Sequence, residues 1–401
     1  AHGHNNLLSF LALRIREIPL LFMPAQGGGM EIIMNTYTPF KDKNIKIHGR
    51  TSCTPPLVLF WTGSGIELNT DAAELHIELE SDFEFYEQWI RVELNGSSII
   101  KMPLHKGIND ICVFRGMETH TVKNVRLIKE TQPVQNDPKT YLKVLSVKAD
   151  GALLPVKDRK YKLEFIGDSI TAGEGLGGKR GINDWVSSIF TTKGHYALQT
   201  AAALDADYRL IAQGGWGVHC SWDNNPNHAM PLVYPYTCSV LDNELSRVFG
   251  SCVKNDFSAW QPDAVIVNLG CNDSGAFSNP AWTDPETGKS HKLKLREDGS
   301  YDEDDIKKVC RSVYSFLKLI RSLNSHAFII WAYGMIGQGL AQYIENTVNT
   351  YAYENNDKRA SFCLLPDLKA EWTAAHDHPG TGSHTAAARE LILKLEEALS
   401  R

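Results

Sequence analysis

The hydrophobic pattern of this chain changes once along its length, close to residue 156, and this change limits the fold more than any other feature. Between residues 44 and 156, apolar and polar residues alternate in one short run after another, for example at residues 75–80 and 90–94. A period of two is typical of strands that bury one face. Asn95 and Gly96 directly follow the second run and favour a tight hairpin turn. Since no helical period interrupts the segment, it is predicted to be an all-β sandwich.

Strands and helices alternate after residue 160. A short strand is predicted at residues 161–166, apolar runs of the buried type stand at residues 264–269 and 327–331, and helical spacing is found at residues 196–206, 304–323, 338–353 and 384–399. This alternation predicts a parallel sheet with helices on both faces. The predicted linker between the two domains lies at residues 149–159. In parallel sheets of this kind, functional side chains lie just beyond the carboxyl ends of the strands.

Length and charge exclude several classes of protein. A chain of 401 residues favours two domains. Its net charge is -6 with both signs interspersed, which argues against a nucleic-acid or membrane partner. The eight cysteines are scattered without a C-x-x-C pair, a pattern typical of reduced thiols rather than of a disulfide framework or a zinc site.

Residues 1–29 are predicted to be a vector-derived leader. The apolar run at residues 7–22 is interrupted by Arg14, Arg16 and Glu17, which is unlike a secretory signal or a membrane span. Three glycines then precede Met30, which reads as a native start. Because the sequence shows no export signal, a cytoplasmic location is expected.

The first candidate for chemistry follows the strand at residues 161–166. The motif GDSITAG at residues 167–173 places Ser169 between glycines at a strand-to-helix turn. Such a turn exposes the hydroxyl and puts the serine N–H at a helix start, where an oxyanion can use it. The alternative is an ordinary turn with an N-cap residue.

Three further polar or glycine positions follow later strands. Gly215 lies in a glycine-containing turn where a backbone N–H can approach a ligand, or it is simply a tight turn. Asn272 can donate its amide to an oxyanion, or it can cap the strand as an Asx-turn. His378 precedes a proline and a helix, and it is a candidate general base. The alternatives for His378 are a surface loop histidine or a His-x-His metal pair with His376.

The order of these blocks resembles that of the SGNH hydrolases across residues 161–401. A strand-rich domain ahead of GDSITAG, with FWTGSGI at residues 60–66, resembles carbohydrate esterase family 2 in particular. Members of that family remove O-acetyl groups from xylan and mannan. The resemblance implies an α/β fold in which a three-layer α/β/α SGNH domain with a flavodoxin-like parallel sheet, at residues 156–401, follows an all-β jelly-roll sandwich at residues 30–155.

The resemblance also implies a set of roles. Ser169 resembles the nucleophile and His378 the base that takes its proton. The Ser169 and Gly215 N–H groups and the Asn272 side-chain amide would form the oxyanion hole. The expected substrate is an acetylated polysaccharide or oligosaccharide, and neither a metal nor an organic cofactor is expected.

The sequence departs from the SGNH pattern at the third member of the triad. The usual Asp stands two or three positions before the base, where this chain has His376 and Ala375. Asp377 is the nearby acid, but adjacent residues of an extended run point to opposite sides. We therefore expect a Ser–His dyad whose imidazole Nδ1–H donates to a backbone carbonyl, with Asp377 as the alternative third member. His384 is the rival base.

Three aromatic residues are predicted to bind substrate. Trp331 ends the strand predicted at residues 327–331 and Tyr333 follows it, and both either line the cleft or belong to the core. Trp216 lies in the loop of Gly215 and is the candidate for stacking on a sugar. The competing functions are an esterase of the same fold on another small acyl ester and a non-catalytic carbohydrate-binding protein. The sequence leaves open whether the chain forms a homo-oligomer.

Overall fold

The computed structural model describes residues 33–400, and the predicted leader at residues 1–29 lies outside them. Within the described residues, antiparallel strands come first, and a parallel sheet with its helices follows. None of the helices there is long and apolar enough to span a bilayer.

The N-terminal part of the described chain consists of strands. They are β1 (Asn35–Tyr37), β2 (Lys46–His48), β3 (Leu57–Val58), β4 (Gly65–Thr70), β5 (Leu75–Asp82), β6 (Trp89–Leu94), β7 (Ser97–Pro103), β8 (Gly107–Phe114), β9 (Lys123–Lys129), β10 (Tyr141–Ala149) and β11 (Leu153–Leu154). One antiparallel sheet has the order β1–β10–β5–β8, with β3 beside β10. The other has the order β11–β4–β9–β6–β7, with β2 beside β4.

The alternating sequence explains how these sheets pack. Leu75, Ile77 and Leu79 of β5 are fully buried, whereas the residues between them are partly exposed. Buried side chains from residues 45–153 form one apolar core. Asn95 and Gly96 both have positive φ and join β6 to β7, as predicted. The predicted strands are therefore present as two antiparallel sheets.

Five parallel strands form the sheet of the C-terminal part. They are β12 (Tyr161–Gly167), β13 (Ala206–Ala212), β14 (Ala264–Asn268), β17 (Phe328–Tyr333) and β18 (Ala360–Leu364), and β15 (Trp282–Thr283) pairs with β16 (Ser290–His291) in a separate hairpin. The sheet order is β13–β12–β14–β17–β18. This is the order of flavodoxin-like doubly wound sheets.

Helices cover both faces of the parallel sheet. They are α1 (Ser169–Ala172), α2 (Tyr196–Ala203), α3 (Met230–Val233), α4 (Glu244–Val248), α5 (Cys271–Ala276), α6 (Glu303–Leu323), α7 (Ala341–Glu354) and α8 (Thr381–Leu399). Buried residues of α2 and α8 pack on one face, and those of α6 and α7 pack on the other. The predicted α/β architecture with a parallel sheet is confirmed.

Two boundaries differ from the sequence prediction. The helix predicted for residues 196–206 ends at Ala203, because Asp205 has a φ of 49° and turns the chain directly into β13. The predicted linker is partly strand, since Leu153 and Leu154 pair with β4. The short strand β18 was not predicted.

The order of the sheet places a crevice beside β12. Strands β13 and β14 lie on opposite sides of β12, so the connections that leave β12 and β14 diverge at the carboxyl edge of the sheet. Ligands bind at such reversal points in open α/β sheets. Ser169 follows β12 and Asn272 follows β14 at this position.

The segment after β9 extends from the antiparallel sheets to this crevice. Glu130 is fully buried, and its carboxylate accepts from the Thr192 N–H at 3.0 Å and from the Thr191 hydroxyl. Gln132 Oε1 accepts the Gly214 N–H at 2.7 Å. The N-terminal sheets therefore contribute one wall of the crevice.

Candidate active site

Ser169 is the first residue of α1, directly after the turn that ends β12. The turn requires glycine at 167, because a Cβ there would lie 2.0 Å from Thr171 Oγ1. Asp168 caps the helix, and its Oδ1 accepts the Ile170 N–H at 3.0 Å. Ser169 is 7% exposed and lines a cavity of about 500 Å³ at the carboxyl edge of the sheet.

His378 lies next to Ser169 and lines the same cavity. Its Nε2 is 2.8 Å from Ser169 Oγ, and its Nδ1 is 2.6 Å from the carbonyl oxygen of His376. Because a carbonyl oxygen only accepts hydrogen bonds, the proton of the neutral ring resides on Nδ1. Nε2 is then free to accept the Ser169 proton, as a general base must.

Two tightly packed segments hold His378. Gly175 has a φ of 78°, and a Cβ on it would lie 2.4 Å from the Ala375 carbonyl oxygen and 2.5 Å from His378 Cβ. The His376 N–H donates to the Ile182 carbonyl at 2.6 Å. The segment after α1 is therefore pressed against the segment that carries the base.

The oxyanion side of the cavity comes from two other loops. Gly215 has a φ of 78°, which a glycine adopts without strain. Asn272 Nδ2 donates to the Trp216 carbonyl at 3.0 Å and to Asp168 Oδ2 at 3.2 Å. Gly215, Asn272 and Ser169 line the same cavity. The structure thus brings together the four positions that the sequence analysis selected at successive strand ends.

Solved structures with the same architecture identify relatives of this chain. An acetyl xylan esterase (Est2A) from the rumen bacterium Butyrivibrio proteoclasticus is 39% identical, with a TM-score of 0.90 over 92% of this chain and 99% of that one. A family two carbohydrate esterase from Clostridium thermocellum, solved with cellohexaose, has a TM-score of 0.73 at 23% identity, over 89% of this chain and 99% of that one. This chain belongs to carbohydrate esterase family 2.

One curated relative of this family 2 esterase is much longer. It is the cellulase/esterase CelE from Acetivibrio thermocellus, 27% identical over 215 residues, which are 53% of this chain and 24% of CelE. The matched region thus spans about a quarter of that relative. No protein-family model matches the chain.

Three aromatic residues predicted to bind substrate do not line the cavity of the esterase. Trp331 and Tyr333 are 0% and 1% exposed, because side chains of β17 point into the helix layers on either face of the sheet. Trp331 Nε1 donates to the Leu269 carbonyl at 3.1 Å. Trp216 is 5% exposed and stacks on His228 with ring centroids 5.0 Å apart. The structure therefore places these three residues outside the cavity, and for Trp331 and Tyr333 it agrees with the core alternative.

Two other tryptophans line the cavity. Trp222 lines the cavity, is 52% exposed, and its indole lies next to Gly215. Trp185 lines the cavity from the segment that follows Gly175 and packs edge-on against Tyr86, in the connection between β5 and β6. Both tryptophans lie in irregular loops, where the sequence has no periodicity that would indicate which way a side chain points.

The structure also places Asp377, the alternative triad acid, and His384, the rival base. Asp377 lines the cavity, but no hydrogen bond among residues 33–400 joins its carboxylate to His378, whose Nδ1 is occupied by the His376 carbonyl. His384 is fully buried in α8, where its Nδ1 accepts the Tyr196 N–H at 3.1 Å. Burial lowers the pKa of His384 well below the ordinary value. Neither residue contacts the Ser169–His378 pair as a triad acid or as a second base.

Glu174 was not predicted from the sequence as a site residue. This residue is 4% exposed, lines the cavity, and its Oε1 lies 2.6 Å from His376 Nδ1. Its position directly after GDSITAG could have marked Glu174 as a candidate. Its partner His376, however, is 202 residues away along the chain. Local spacing therefore could not pair the two.

Asp168, the residue before the nucleophile, has a perturbed carboxyl pKa. Burial raises the pKa of its carboxyl to about 6. The Cys271 thiol donates to Asp168 Oδ2 at 2.9 Å and partly opposes this shift. The carboxyl is thus enclosed by protein and serves as an acceptor within the turn.

Glu174, His376 and His378 bring three potential metal-ligand atoms within 4.8 Å of one another. The two histidine rings are parallel, with centroids 5.5 Å apart and an interplanar angle of 5°. Imidazole nitrogens bind metals in the plane of the ring, so two stacked rings do not converge on one ion. Both nitrogens of His378 are also occupied by Ser169 and the His376 carbonyl. The three residues do not fit a metal site.

Proposed function

We propose that this chain is a serine esterase that removes O-acetyl groups from plant cell-wall polysaccharides or their oligosaccharides. The observation that carries the proposal is the 2.8 Å contact between Ser169 Oγ and His378 Nε2 inside a cavity that Gly215 and Asn272 also line. The 39% identity over nearly the full length to an acetyl xylan esterase supports the choice of substrate class.

The acylation half-reaction uses the Ser169–His378 pair directly. Ser169 Oγ attacks the acetyl carbonyl carbon while its proton passes to His378 Nε2. The negative charge that develops on the carbonyl oxygen is stabilised by the Ser169 and Gly215 N–H groups, each worth about 3–4 kcal/mol, and by the Asn272 amide once one of its two N–H groups leaves Trp216 or Asp168. The bond to the sugar oxygen then breaks, and that oxygen leaves with the proton from His378.

Deacylation repeats the same steps with water. His378 Nε2 takes a proton from water as the water oxygen attacks the acetyl-Ser169 carbonyl. The same oxyanion donors stabilise the second tetrahedral intermediate. Acetate leaves when Ser169 Oγ recovers the proton from His378, and the free enzyme is restored.

The cavity lining supports an acylated sugar as substrate. Its volume of about 500 Å³ lies within the range of small-molecule sites. An exposed indole such as that of Trp222 offers a flat apolar face to a pyranose ring, and Gln132 and Asn272 offer polar atoms around it.

A comparison of acyl chain lengths tests the substrate class. Hydrolysis rates of p-nitrophenyl acetate, butyrate and octanoate are measured first, followed by acetate release from acetylated xylan and acetylated mannan. The proposal predicts the highest kcat/KM for the acetyl ester and release from at least one polysaccharide. A preference for octanoate would overturn the acetyl esterase assignment, and a lack of hydrolysis of every ester would favour a carbohydrate-binding protein.

We also propose that residues 30–155 form a jelly-roll sandwich domain and residues 156–401 the hydrolase domain. The apolar core formed by residues 45–153 supports this division.

A reducing compartment is proposed because none of the eight cysteines is paired in a disulfide, and all eight lie within the described residues. Light scattering on the purified chain would test whether it forms a homo-oligomer.

A further inference from the structure

The acceptor for His378 Nδ1 depends on an unusual backbone conformation. His376 and Asp377 have left-handed φ angles of 53° and 51°. A left-handed backbone is strained for residues other than glycine and persists only where its surroundings impose it. The left-handed turn at His376 directs its carbonyl at His378, with oxygen and Nδ1 2.6 Å apart. The contacts that hold His376 therefore determine how the base is oriented.

Glu174 makes one of these contacts from a buried position. Its Oε1 lies 2.6 Å from His376 Nδ1, and 4% of the residue is exposed. The Glu174 N–H also donates to the Ser169 carbonyl at 3.0 Å. One residue thus connects the turn that carries the nucleophile to the residue whose carbonyl orients the base.

We infer that Glu174 and His376 are positioning residues that together replace the acid which the SGNH pattern places next to its base. This inference rests on the proposed function of the Ser169–His378 pair. The buried carboxylate fixes the His376 ring, the fixed ring holds the left-handed backbone, and the His376 carbonyl then keeps His378 Nε2 directed at Ser169. Neither positioning residue exchanges a proton with the substrate.

The charges around His376 agree with this arrangement. The hydrogen bond to Glu174 raises the pKa of His376 above the ordinary value of 6.5, and the charge of Asp377 acts in the same direction. The ion pair is therefore complete below pH 6.5 and weakens as the pH rises through the raised pKa of His376. The titratable groups near His376 and His378 are Glu174, Asp168, Asp377 and His384.

Substitutions at both members of the pair test the inference. Glu174→Ala removes the carboxylate, and Glu174→Gln keeps a hydrogen-bonding side chain of the same size. These variants, His376→Ala and the double variant Glu174→Ala/His376→Ala are compared for kcat per active serine and for KM with p-nitrophenyl acetate. The matched control is Glu74→Gln, because Glu74 Oε1 forms the same kind of pair with His76 Nε2, at 2.9 Å, within the N-terminal sheets.

We expect Glu174→Ala and His376→Ala each to lower kcat about 10- to 100-fold while KM stays within about twofold. Glu174→Gln should recover part of kcat, and Glu74→Gln should match the wild type. The kcat of the double variant should lie within about twofold of the kcat of the slower single variant. The losses should not multiply, because the two residues act as one unit. A folded Glu174→Ala or His376→Ala protein with wild-type kcat would overturn the inference, as would a double-variant loss equal to the product of the single losses.

Two further measurements keep the test decisive. If Glu174→Ala does not fold, His376→Ala decides by the same criterion, since the His376 side chain is 38% exposed. Proton NMR should show the His378 Nδ1–H at low field in the wild type and in Glu74→Gln, and this resonance should move or broaden in Glu174→Ala. An unchanged resonance contradicts the inference. A wild-type protein that hydrolyses no ester would contradict the proposed function instead, because the NMR signal does not depend on turnover.

Discussion

His378 Nδ1 donates to the carbonyl oxygen of His376 at 2.6 Å, so the main chain two residues upstream orients this base. Because that acceptor is a carbonyl, the proton is fixed on Nδ1, and Nε2 faces Ser169 Oγ at 2.8 Å. A site built in this way depends on local backbone conformation more than on the charge of a neighbouring acid.

The first prediction concerns Asp377. Its carboxylate makes no hydrogen bond to His378, so Asp377→Asn should change kcat/KM for p-nitrophenyl acetate by no more than about twofold. His378→Ala should lower the same constant about 10³-fold or more, because it removes the general base. A collapse of activity in both variants would show that Asp377 orients the base in solution.

The second prediction concerns the close contact at Gly175. A methyl group there would lie 2.5 Å from His378 Cβ, so Gly175→Ala should displace the base and lower kcat about 100-fold. Gly181→Ala is the matched control, since Gly181 has a φ of 90° but open space around its Cβ position. The control introduces similar backbone strain without the contact and should keep most of kcat. Equal losses in the two variants would assign the effect to strain alone.

The third prediction separates two tryptophans. Trp222→Ala should raise KM for acetylated oligosaccharides roughly 3- to 10-fold with little effect on p-nitrophenyl acetate, because the exposed indole is proposed to stack on sugar. Trp216→Ala should instead lower thermal stability, by about 3–5 kcal/mol, because Trp216 is buried against His228. Oligosaccharide KM and the unfolding midpoint are measured for both variants. A KM effect confined to Trp216→Ala would contradict the assignment.

The fourth prediction concerns pH and stability. Because the pKa of Asp168 is raised from 3.8 to about 6, the folded state binds more protons than the unfolded state between these values, and stability falls as pH rises. The full penalty above pH 6 is about 3 kcal/mol. The amide of the Asp168→Asn variant does not titrate, so the stability of this variant relative to the wild type should improve between about pH 4 and about pH 7. Denaturant unfolding at both pH values measures this, and a pH-independent difference would contradict the raised pKa.

Much of the site could be predicted because parallel strands bring their carboxyl ends to one edge of the sheet. Ser169, Gly215 and Asn272 each follow a strand that the apolar runs or the glycine turns indicate, and the structure places them in one cavity with His378. The alternation in β5 and the Asn95–Gly96 turn likewise determine local geometry within a few residues.

Other features depend on contacts between distant segments. The apolar sequence of β17 does not indicate whether the Trp331 side chain points into a helix layer or lies beyond the end of the sheet. In the structure, Trp331 packs in the helix layer. The pairing of Glu174 with His376 joins residues 202 positions apart. The left-handed turn at His376 is held by contacts with Glu174, Gly175 and Ile182, which no local pattern indicates.

Acetate release from acetylated xylan by the wild type and by Ser169→Ala tests the proposed esterase most directly. We expect steady release by the wild type and a rate lower by about 10³-fold or more in a folded Ser169→Ala protein. Comparable release by the two proteins, or no release by the wild type from either xylan or mannan, would contradict it.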